Sequence, residues 1–108
     1  MRRGQHLQNI ALAGPPLPLA VGTVGAIHEL AVSADLLRRG YAVFRALSPS
    51  CSCDLVIMKN GVLQRVEVTS GRHTKTKIEW LPKDPAKFDL LAVVTRDGQI
   101  HYTPEVPA

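Results

Sequence analysis

The 108-residue sequence has no long apolar run and few cysteines. A membrane-spanning helix needs roughly 18 or more consecutive apolar residues, so the sequence excludes an α-helical membrane protein. Its two cysteines, Cys51 and Cys53, are too close together to form a useful disulfide framework. Reduced thiols in the cytoplasm are the better interpretation. Cys-x-Cys with His73 nearby could begin a zinc site, although no fourth ligand is evident.

The first 21 residues also lack a regular apolar pattern. Arg2 and Arg3 precede a short apolar patch that is broken by Pro15 and Pro16. Because a secretory signal needs an unbroken apolar region, export is not expected. We predict a flexible arm over residues 1–21, followed by a single domain over residues 22–108. Internal repeats and low-complexity tracts are lacking as well.

The composition that is present describes one small basic domain. Apolar residues make up 45% of the chain, which is enough for a modest core. The formal net charge is +4 and the isoelectric point is about 9.4. This balance is compatible with a polyanionic partner such as DNA, and also with many proteins that have none.

One helix is predicted over residues 23–39. Thr23 is a suitable N-cap, and Gly40 stands where a left-handed residue commonly ends a helix. The apolar stripe expected to be buried consists of Val24, Ile27, Leu30, Ala31, Ala34 and Leu37. Glu29 lies on a second, weaker apolar strip, with Gly25, Val32 and Leu36 as neighbours. It is either a carboxylate in need of a partner or a glutamate at the edge of the buried face.

A tight β-hairpin is predicted between Cys53 and Thr69, because Asn60-Gly61 is a strong signal for a type I′ turn. In this register Lys59 faces Val62 and, further out, Asp54 faces Glu67. Thr69 follows Glu67 on the same face, since side chains alternate along a strand. The opposite face is predicted to form a core from Leu55, Ile57, Val62, Val66 and Val68.

The remaining chain predicts further strands around this hairpin. They are expected near residues 41–47, 78–81, 88–95 and 99–103, and the apolar run at 88–95 suggests burial on both faces. The predicted fold is therefore α/β, with one N-terminal helix packed on a mixed sheet of about five strands. The segment 70–77 is small, polar and basic, and it is expected to be a loop. Its candidate phosphate-contacting residues are Arg72, His73, Lys75 and Lys77.

The opposed carboxylates of Asp54 and Glu67 need an explanation, because like charges on neighbouring strands repel each other. A divalent cation would offset the repulsion, and hard oxygen ligands suit Mg²⁺ or Mn²⁺. Alternatively, both side chains are solvated at the end of an exposed hairpin.

Taken in order, these segments resemble the PD-(D/E)XK nuclease superfamily, in particular its branch of Holliday-junction resolvases and intron endonucleases. The resemblance covers residues 22–104 and implies a restriction-endonuclease-like core. The segments that carry it are Gly25-Ala-Ile-His-Glu29, Ala34-Asp-Leu-Leu-Arg-Arg-Gly-Tyr-Ala-Val-Phe44, Cys53-Asp-Leu-Val-Ile57, Val66-Glu-Val-Thr-Ser-Gly-Arg72 and Phe88-Asp-Leu-Leu-Ala-Val-Val94.

The resemblance implies a role for each of four residues. Asp54 and Glu67 correspond to the acids that hold Mg²⁺, which activates a water for attack on a phosphodiester. Glu29 corresponds to an assisting helical acid. Thr69 stands where the family has a lysine, and its hydroxyl could orient a water but supplies no charge. Cys53 replaces the motif proline, a position that is often relaxed in the superfamily.

A lysine from elsewhere would have to supply the missing ammonium group. Lys59 is expected to be a poor candidate, because it lies at the far end of the hairpin and faces the other way. Lys75 or Lys77 could fold back toward the carboxylates.

Three functions remain open, in order of preference. The first is a Mg²⁺- or Mn²⁺-dependent endonuclease that cuts DNA, including branched DNA, as a homodimer, since duplex or branched DNA needs two cuts. The second is a weakened or inactive DNA-binding or interaction module of the same fold. The third is a small interaction protein with a structural acidic cluster. The departure at Thr69 favours the second function, whereas Glu29, Asp54 and Glu67 favour the first.

Overall fold

A computed structural model of the protein describes residues 18–107. Most of the predicted arm, residues 1–17, lies outside this range, and Val21 already belongs to the helix. The elements are α1 (Val21–Arg38), β1 (Ala42–Arg45), β2 (Leu55–Lys59), β3 (Val62–His73), β4 (Ile78–Trp80), a short 3-10 turn (Pro85–Lys87), β5 (Leu90–Val94) and β6 (Ile100–Thr103). Within this range, no helix is sufficiently long and apolar to span a membrane.

The sheet is mixed, as predicted, and contains six strands within residues 18–107. Five of them lie in the order β1-β2-β3-β5-β6, and β4 pairs with the distal part of β3. The β3–β5 pair is parallel, and the other pairs are antiparallel. The single helix packs on one face through its contacts with β1, β2, β3 and β5. The α/β class is therefore confirmed, with one strand more than expected.

The β2–β3 hairpin has the predicted turn and register. Asn60 and Gly61 have φ values of 53° and 77°, as a type I′ turn requires, and Lys59 pairs with Val62. The ladder continues to Leu55 and Val66, and both of these side chains are buried. Val62 was predicted to join them, but 63% of its surface is exposed. It lies next to the turn, beyond the cover that the helix provides.

The helix begins two residues earlier than predicted and buries a different face. Ala20 is the N-cap residue and makes no side-chain cap, so the N-cap assignment of Thr23 was wrong. The helix end is confirmed: Gly40 has φ of 90°, and its amide donates to the Leu37 carbonyl at 3.0 Å.

The buried helical residues are Val32 and Leu36, which belong to the strip that the pattern marked as weaker. Ile27, Leu30 and Leu37, from the stripe expected to be buried, are about half exposed. The helix is apolar on both strips, so periodicity alone could not select the face that packs on the sheet. Contacts with the strands decide it.

The core joins these helical residues to the central strands. Its members are Val32, Leu36, Leu55, Ile57, Val66, Leu90, Ala92 and Val94. Alternate residues of β5, Leu91 and Val93, are buried on the other side of the sheet, at 5% and 1% exposure. The prediction that this strand is buried on both faces is confirmed.

The basic segment expected to be a loop belongs largely to a second hairpin. β3 continues to His73 and pairs with β4, and only residues 74–77 form the turn. Thr74 stabilises this turn, since its backbone amide donates to the Lys77 carbonyl at 2.7 Å and its hydroxyl accepts from the Lys77 amide at 3.1 Å. The polarity of residues 70–77 concealed the strand, because the pairing with β4 and β5 is a tertiary contact.

Candidate active site

Asp54 lies at the point where the β2–β3 ladder ends. Its amide donates to the Val66 carbonyl at 3.1 Å, and its carboxylate oxygen Oδ2 accepts from the Val68 amide at 2.8 Å. The Asp54 carboxylate thus accepts the hydrogen bond that a backbone carbonyl would accept if the ladder continued. It reaches the amide of the residue that follows Glu67. Val68 would otherwise lack a partner for its N–H on this side of β3. Asp54 is therefore fixed beside β3, although the regular ladder stops one pair before it.

Glu67 lies in β3 between Val66 and Val68, which pack toward the helix. Because side chains alternate along a strand, Glu67 and Thr69 share the opposite face. They stand beside Leu91 and Val93 of the neighbouring parallel strand. The Glu67 side chain is only 18% exposed, so its carboxylate is held in a partly desolvated position.

Glu29 approaches the same end of β2 from the helix. Its Oε1 is 3.4 Å from Nη2 of Arg45, the last residue of β1, and its side chain is 27% exposed. The backbone after Arg45 joins this region to Asp54, since the Ala46 amide donates to the Asp54 carbonyl at 3.3 Å. Glu29 thus has a cationic partner at the sheet edge, which agrees with the first of the two alternatives that the sequence left open.

The electrostatics of Glu67 join the three carboxylates. Burial raises the pKa of the Glu67 carboxyl, and the negative charge of Asp54 raises it further. Glu29 adds a smaller effect in the same direction, whereas the ammonium group of Lys83 lowers the pKa of Glu67. The fold therefore holds the charges of Asp54 and Glu29 within electrostatic reach of the partly desolvated Glu67 carboxyl.

The carboxylates of Asp54 and Glu67 are hard oxygen donors of the kind that divalent cations prefer. Within residues 18–107, no group of three or more His, Cys, Asp or Glu side chains is arranged to hold a metal ion by itself. Mg²⁺ commonly uses one or two carboxylates together with water and substrate phosphates. Asp54 and Glu67 supply two carboxylates of this kind. The same finding leaves Cys51, Cys53 and His73 without a zinc site in this part of the chain.

Thr69 lies two residues after Glu67 and is half-buried beside Val93. No strand displacement brings a different residue to this position, because the β3–β5 register is regular from Val66 to Ser70. The position two residues after Glu67, which carries a lysine in the family that the sequence resembles, therefore carries a neutral hydroxyl.

The lysines considered from sequence do not form an ion pair with Glu67. Lys59 donates to the Arg39 carbonyl at 3.0 Å and lies over the Tyr41 ring, as expected for a residue at the far end of the hairpin. Lys77 pairs with Glu79 at 3.7 Å. Lys75 forms no ion pair with any residue between 18 and 107.

Lys83 is the residue that sequence reasoning missed. Its Nζ lies 3.8 Å from Oε2 of Glu67, and its side chain is 32% exposed. It belongs to the linker between β4 and β5, far from any motif position. The nearest signal in the sequence was Pro82-Lys83-Asp84-Pro85, a turn constrained by two prolines, but nothing local indicated which carboxylate Lys83 would meet.

The predicted phosphate-contacting residues lie on the β3–β4 hairpin rather than on a loop. Arg72 is 81% exposed and pairs with Glu79 at 3.4 Å, while His73 is 3.6 Å from Asp97. The hairpin borders an open groove of about 690 Å³. Its lining residues include Ser70, Gly71, Arg72, Lys77, Trp80 and Leu81. Arg72, Lys77 and Trp80 place cations and an exposed aromatic ring on the same surface.

Comparison with known proteins agrees with this architecture. No curated protein sequence matches the chain. The fold is similar to that of a bacterial homing endonuclease, I-Ssp6803I, with a TM-score of 0.65 and 22% identity. The alignment covers 78% of this chain and 68% of that one. The family described as PD-(D/E)XK endonuclease matches residues 22–105. This match spans most of the described residues, and the chain therefore belongs to the PD-(D/E)XK endonuclease family.

Proposed function

We propose that the protein is a Mg²⁺-dependent endonuclease that hydrolyses DNA phosphodiester bonds, with Mn²⁺ as a substitute ion. The observation that carries the proposal is the partly desolvated carboxylate of Glu67, on which the charges of Asp54 and Glu29 both act. Such an arrangement destabilises the metal-free protein at neutral pH, and a bound divalent cation would reverse that cost. Membership of an endonuclease family supports DNA as the substrate.

Asp54 and Glu67 would hold the ion, and Glu29 would assist from the helix. When bound, the ion supplies an activated water and neutralises charge on the phosphoryl oxygens. Asp54 is positioned for this role by the Val68 amide, which fixes one carboxylate oxygen at 2.8 Å. Glu67 is fixed by its place in the central strand, and Arg45 orients Glu29.

The DNA would lie along the β3–β4 hairpin. Arg72 and Lys77 are exposed there, His73 lies beside them at the end of β3, and Lys75 is in the turn. The charges of Arg72, Lys75 and Lys77 would provide the phosphate contacts that a nuclease needs in order to place a scissile bond at the carboxylates, and His73 would offer a further polar contact. Trp80, which is 41% exposed in the same groove, offers a surface for a base or sugar.

A homodimer is part of the proposal, because one set of carboxylates cuts one strand and a duplex has two. The apolar residues Ile27, Leu30 and Leu37 remain about half exposed on the outer side of the helix. A surface of this kind is typical of a contact with another chain. The free thiols of Cys51 and Cys53 fit a reducing compartment, and we propose the cytoplasm.

The alternative is a DNA-binding module of the same fold that does not cut. Thr69 favours it, since the strand lacks the lysine of the family motif. The groove with Arg72, Lys77 and Trp80 would serve binding equally well without cleavage.

Cleavage of supercoiled, linear and branched DNA in Mg²⁺, compared with EDTA, separates the two functions. We expect cleavage in Mg²⁺ and at least a hundredfold loss in Asp54→Asn, about what one essential electrostatic group contributes. Asparagine keeps an oxygen that accepts from Val68, so the edge of β3 remains satisfied. Glu105→Gln, which removes one exposed carboxylate near the C-terminus, is the matched control. DNA binding without cleavage of any form would favour the binding module.

A further inference from the structure

Lys83 contributes the ammonium group that lies within ion-pair distance of Glu67. The 3.8 Å separation joins a carboxylate that is 18% exposed to an ammonium group on a side chain that is 32% exposed. Ion pairs that are fully exposed to water contribute little to stability. In this pair the acid, Glu67, is partly desolvated. No other lysine or arginine within residues 18–107 forms an ion pair with Glu67. The local charge therefore depends on this contact.

The linker that carries Lys83 is constrained on both sides. Pro82 and Pro85 each fix a backbone φ angle near −65°. Asp84 closes the following 3-10 turn, since its Oδ1 accepts from the Ala86 amide at 3.0 Å. A lysine side chain is flexible, but the two prolines and the Asp84 turn limit the conformations of the backbone from which it extends.

Other cations near the site are engaged elsewhere. Arg45 pairs with Glu29 at the sheet edge, and Arg65 is bound to Asp89 through Nη2 at 3.1 Å. Lys77 pairs with Glu79 on the second hairpin. Among the described residues, the face that Glu67 shares with Thr69 thus receives its ammonium group from the β4–β5 linker.

We propose that Lys83 is a catalytic residue that supplies the positive charge missing at Thr69. The role rests on the proposed nuclease function. In hydrolysis a water oxygen forms a bond to phosphorus and one phosphorus–oxygen bond breaks. The water loses one proton to solvent, and the departing oxygen gains one. Lys83 takes no part in these proton transfers and neutralises negative charge that grows on the phosphoryl oxygens.

Lys83→Met tests this role, because methionine is unbranched and apolar and carries no charge. We expect cleavage of supercoiled DNA in Mg²⁺ to fall about a hundredfold. The Mg²⁺-dependent rise in melting temperature should be as large as in the wild type or larger, since a competing cation has left Glu67. Lys87→Met, an exposed lysine on the adjoining 3-10 turn, is the matched control and should behave as wild type.

Two further variants separate charge from shape. Lys83→Arg should retain more activity than Lys83→Met, because the charge remains. Thr69→Lys should restore a measurable part of the rate when it is combined with Lys83→Met. The restored charge would then come from the strand position that the family normally uses.

Several results would overturn the role of Lys83. If Lys83→Met cleaves as fast as wild type, the ammonium group is not catalytic, while the nuclease function stands. Equal losses in Lys83→Arg and Lys83→Met would assign the effect to shape, as would loss of the Mg²⁺-dependent stabilisation. If the wild type cleaves no DNA form, the proposed nuclease function is wrong. The role of Lys83 is then wrong as well, because it depends on that function.

Discussion

Glu67 is the residue at which the charges of the candidate site converge. Its side chain is 18% exposed, against 27% for Glu29. Burial and the charge of Asp54 raise the pKa of its carboxyl, and Lys83 only partly offsets them. Such strain is common where a site must bind a cation, since the ligands are held close before the ion arrives.

Glu67→Gln should stabilise the metal-free protein at neutral pH. The raised pKa means that the folded protein binds this proton more tightly than the unfolded chain does. The resulting stability is present below the ordinary glutamate pKa and is lost as the pH rises through the folded value. Glutamine imitates the protonated form at every pH. The gain should therefore be close to zero in acid and on the order of 0.5 kcal/mol at pH 7, reduced by solvent screening.

Urea unfolding from pH 4 to pH 8 in EDTA measures this gain. The same variant should lose most of the stabilisation that Mg²⁺ gives the wild type. A Gln variant that is less stable than wild type at pH 7 would show that the ion pair with Lys83 outweighs the repulsion from Asp54.

The elements show why some of the fold follows from the sequence. The β2–β3 hairpin depends on local chemistry, since Asn60-Gly61 determines the turn and the turn determines the register. The helix end at Gly40 is local in the same sense. The buried face of the helix is different, because two apolar strips compete and only contacts with the sheet select Val32 and Leu36.

The candidate site also contains residues that local sequence could bring together and one that it could not. Asp54 and Glu67 could be brought together from the hairpin register, although the ladder itself ends at Leu55. Lys83 could not be found, because it is joined to Glu67 through the placement of β4 and β5. A motif of the form Glu-x-Lys describes two residues of one strand, whereas here the ammonium group belongs to a linker between two other strands.

Gly71 lies in β3 opposite Trp80 of β4, at a position where an added side chain would meet both β5 and β4. An added Cβ would lie 2.4 Å from Val93 Cγ1 and 3.1 Å from the Glu79 carbonyl oxygen. Val93 is 1% exposed and has little room to move. Gly71→Ala should therefore lower the free energy of unfolding by about 1–3 kcal/mol, the usual cost of overpacking. Urea denaturation provides the measurement.

Gly25→Ala is the matched control for this substitution. Nothing lies within 4 Å of the added methyl group, and the residue is inside the helix. Alanine should stabilise the protein there by roughly 0.5–1 kcal/mol through helix propensity. Equal effects of the two substitutions would contradict the close packing at Gly71.

At the scale of the whole molecule, the net charge of +4 is distributed unevenly. Acids gather where β2 and β3 separate, whereas cations occupy the β3–β4 hairpin. A negatively charged duplex would be attracted to the hairpin and repelled by the metal-free carboxylates. Binding and cleavage should therefore respond differently to salt and to Mg²⁺.

Replacement of Arg72, Lys75 and Lys77 by alanine should weaken DNA binding. The slope of log affinity against log salt should also become shallower, because a complex with fewer phosphate contacts releases fewer counterions. The loss of the exposed pairs with Glu79 should change stability by less than about 1 kcal/mol. Fluorescence anisotropy with labelled duplex at several salt concentrations measures affinity and slope together. Equal slopes in the wild type and the triple variant would show that the hairpin does not contact phosphates.

The parallel pairing of β3 with β5 determines the order in which the chain assembles. The hairpin needs only its two-residue turn and closes on a scale of about 1–10 μs. A parallel pair needs a long crossover, so β5 joins β3 after the entropy of closing residues 74–89 has been overcome. In that order Asp54 and Glu67 would come together early, and Lys83 would reach Glu67 only when β5 docks. The proposed catalytic set would then be complete only after the parallel pair has formed.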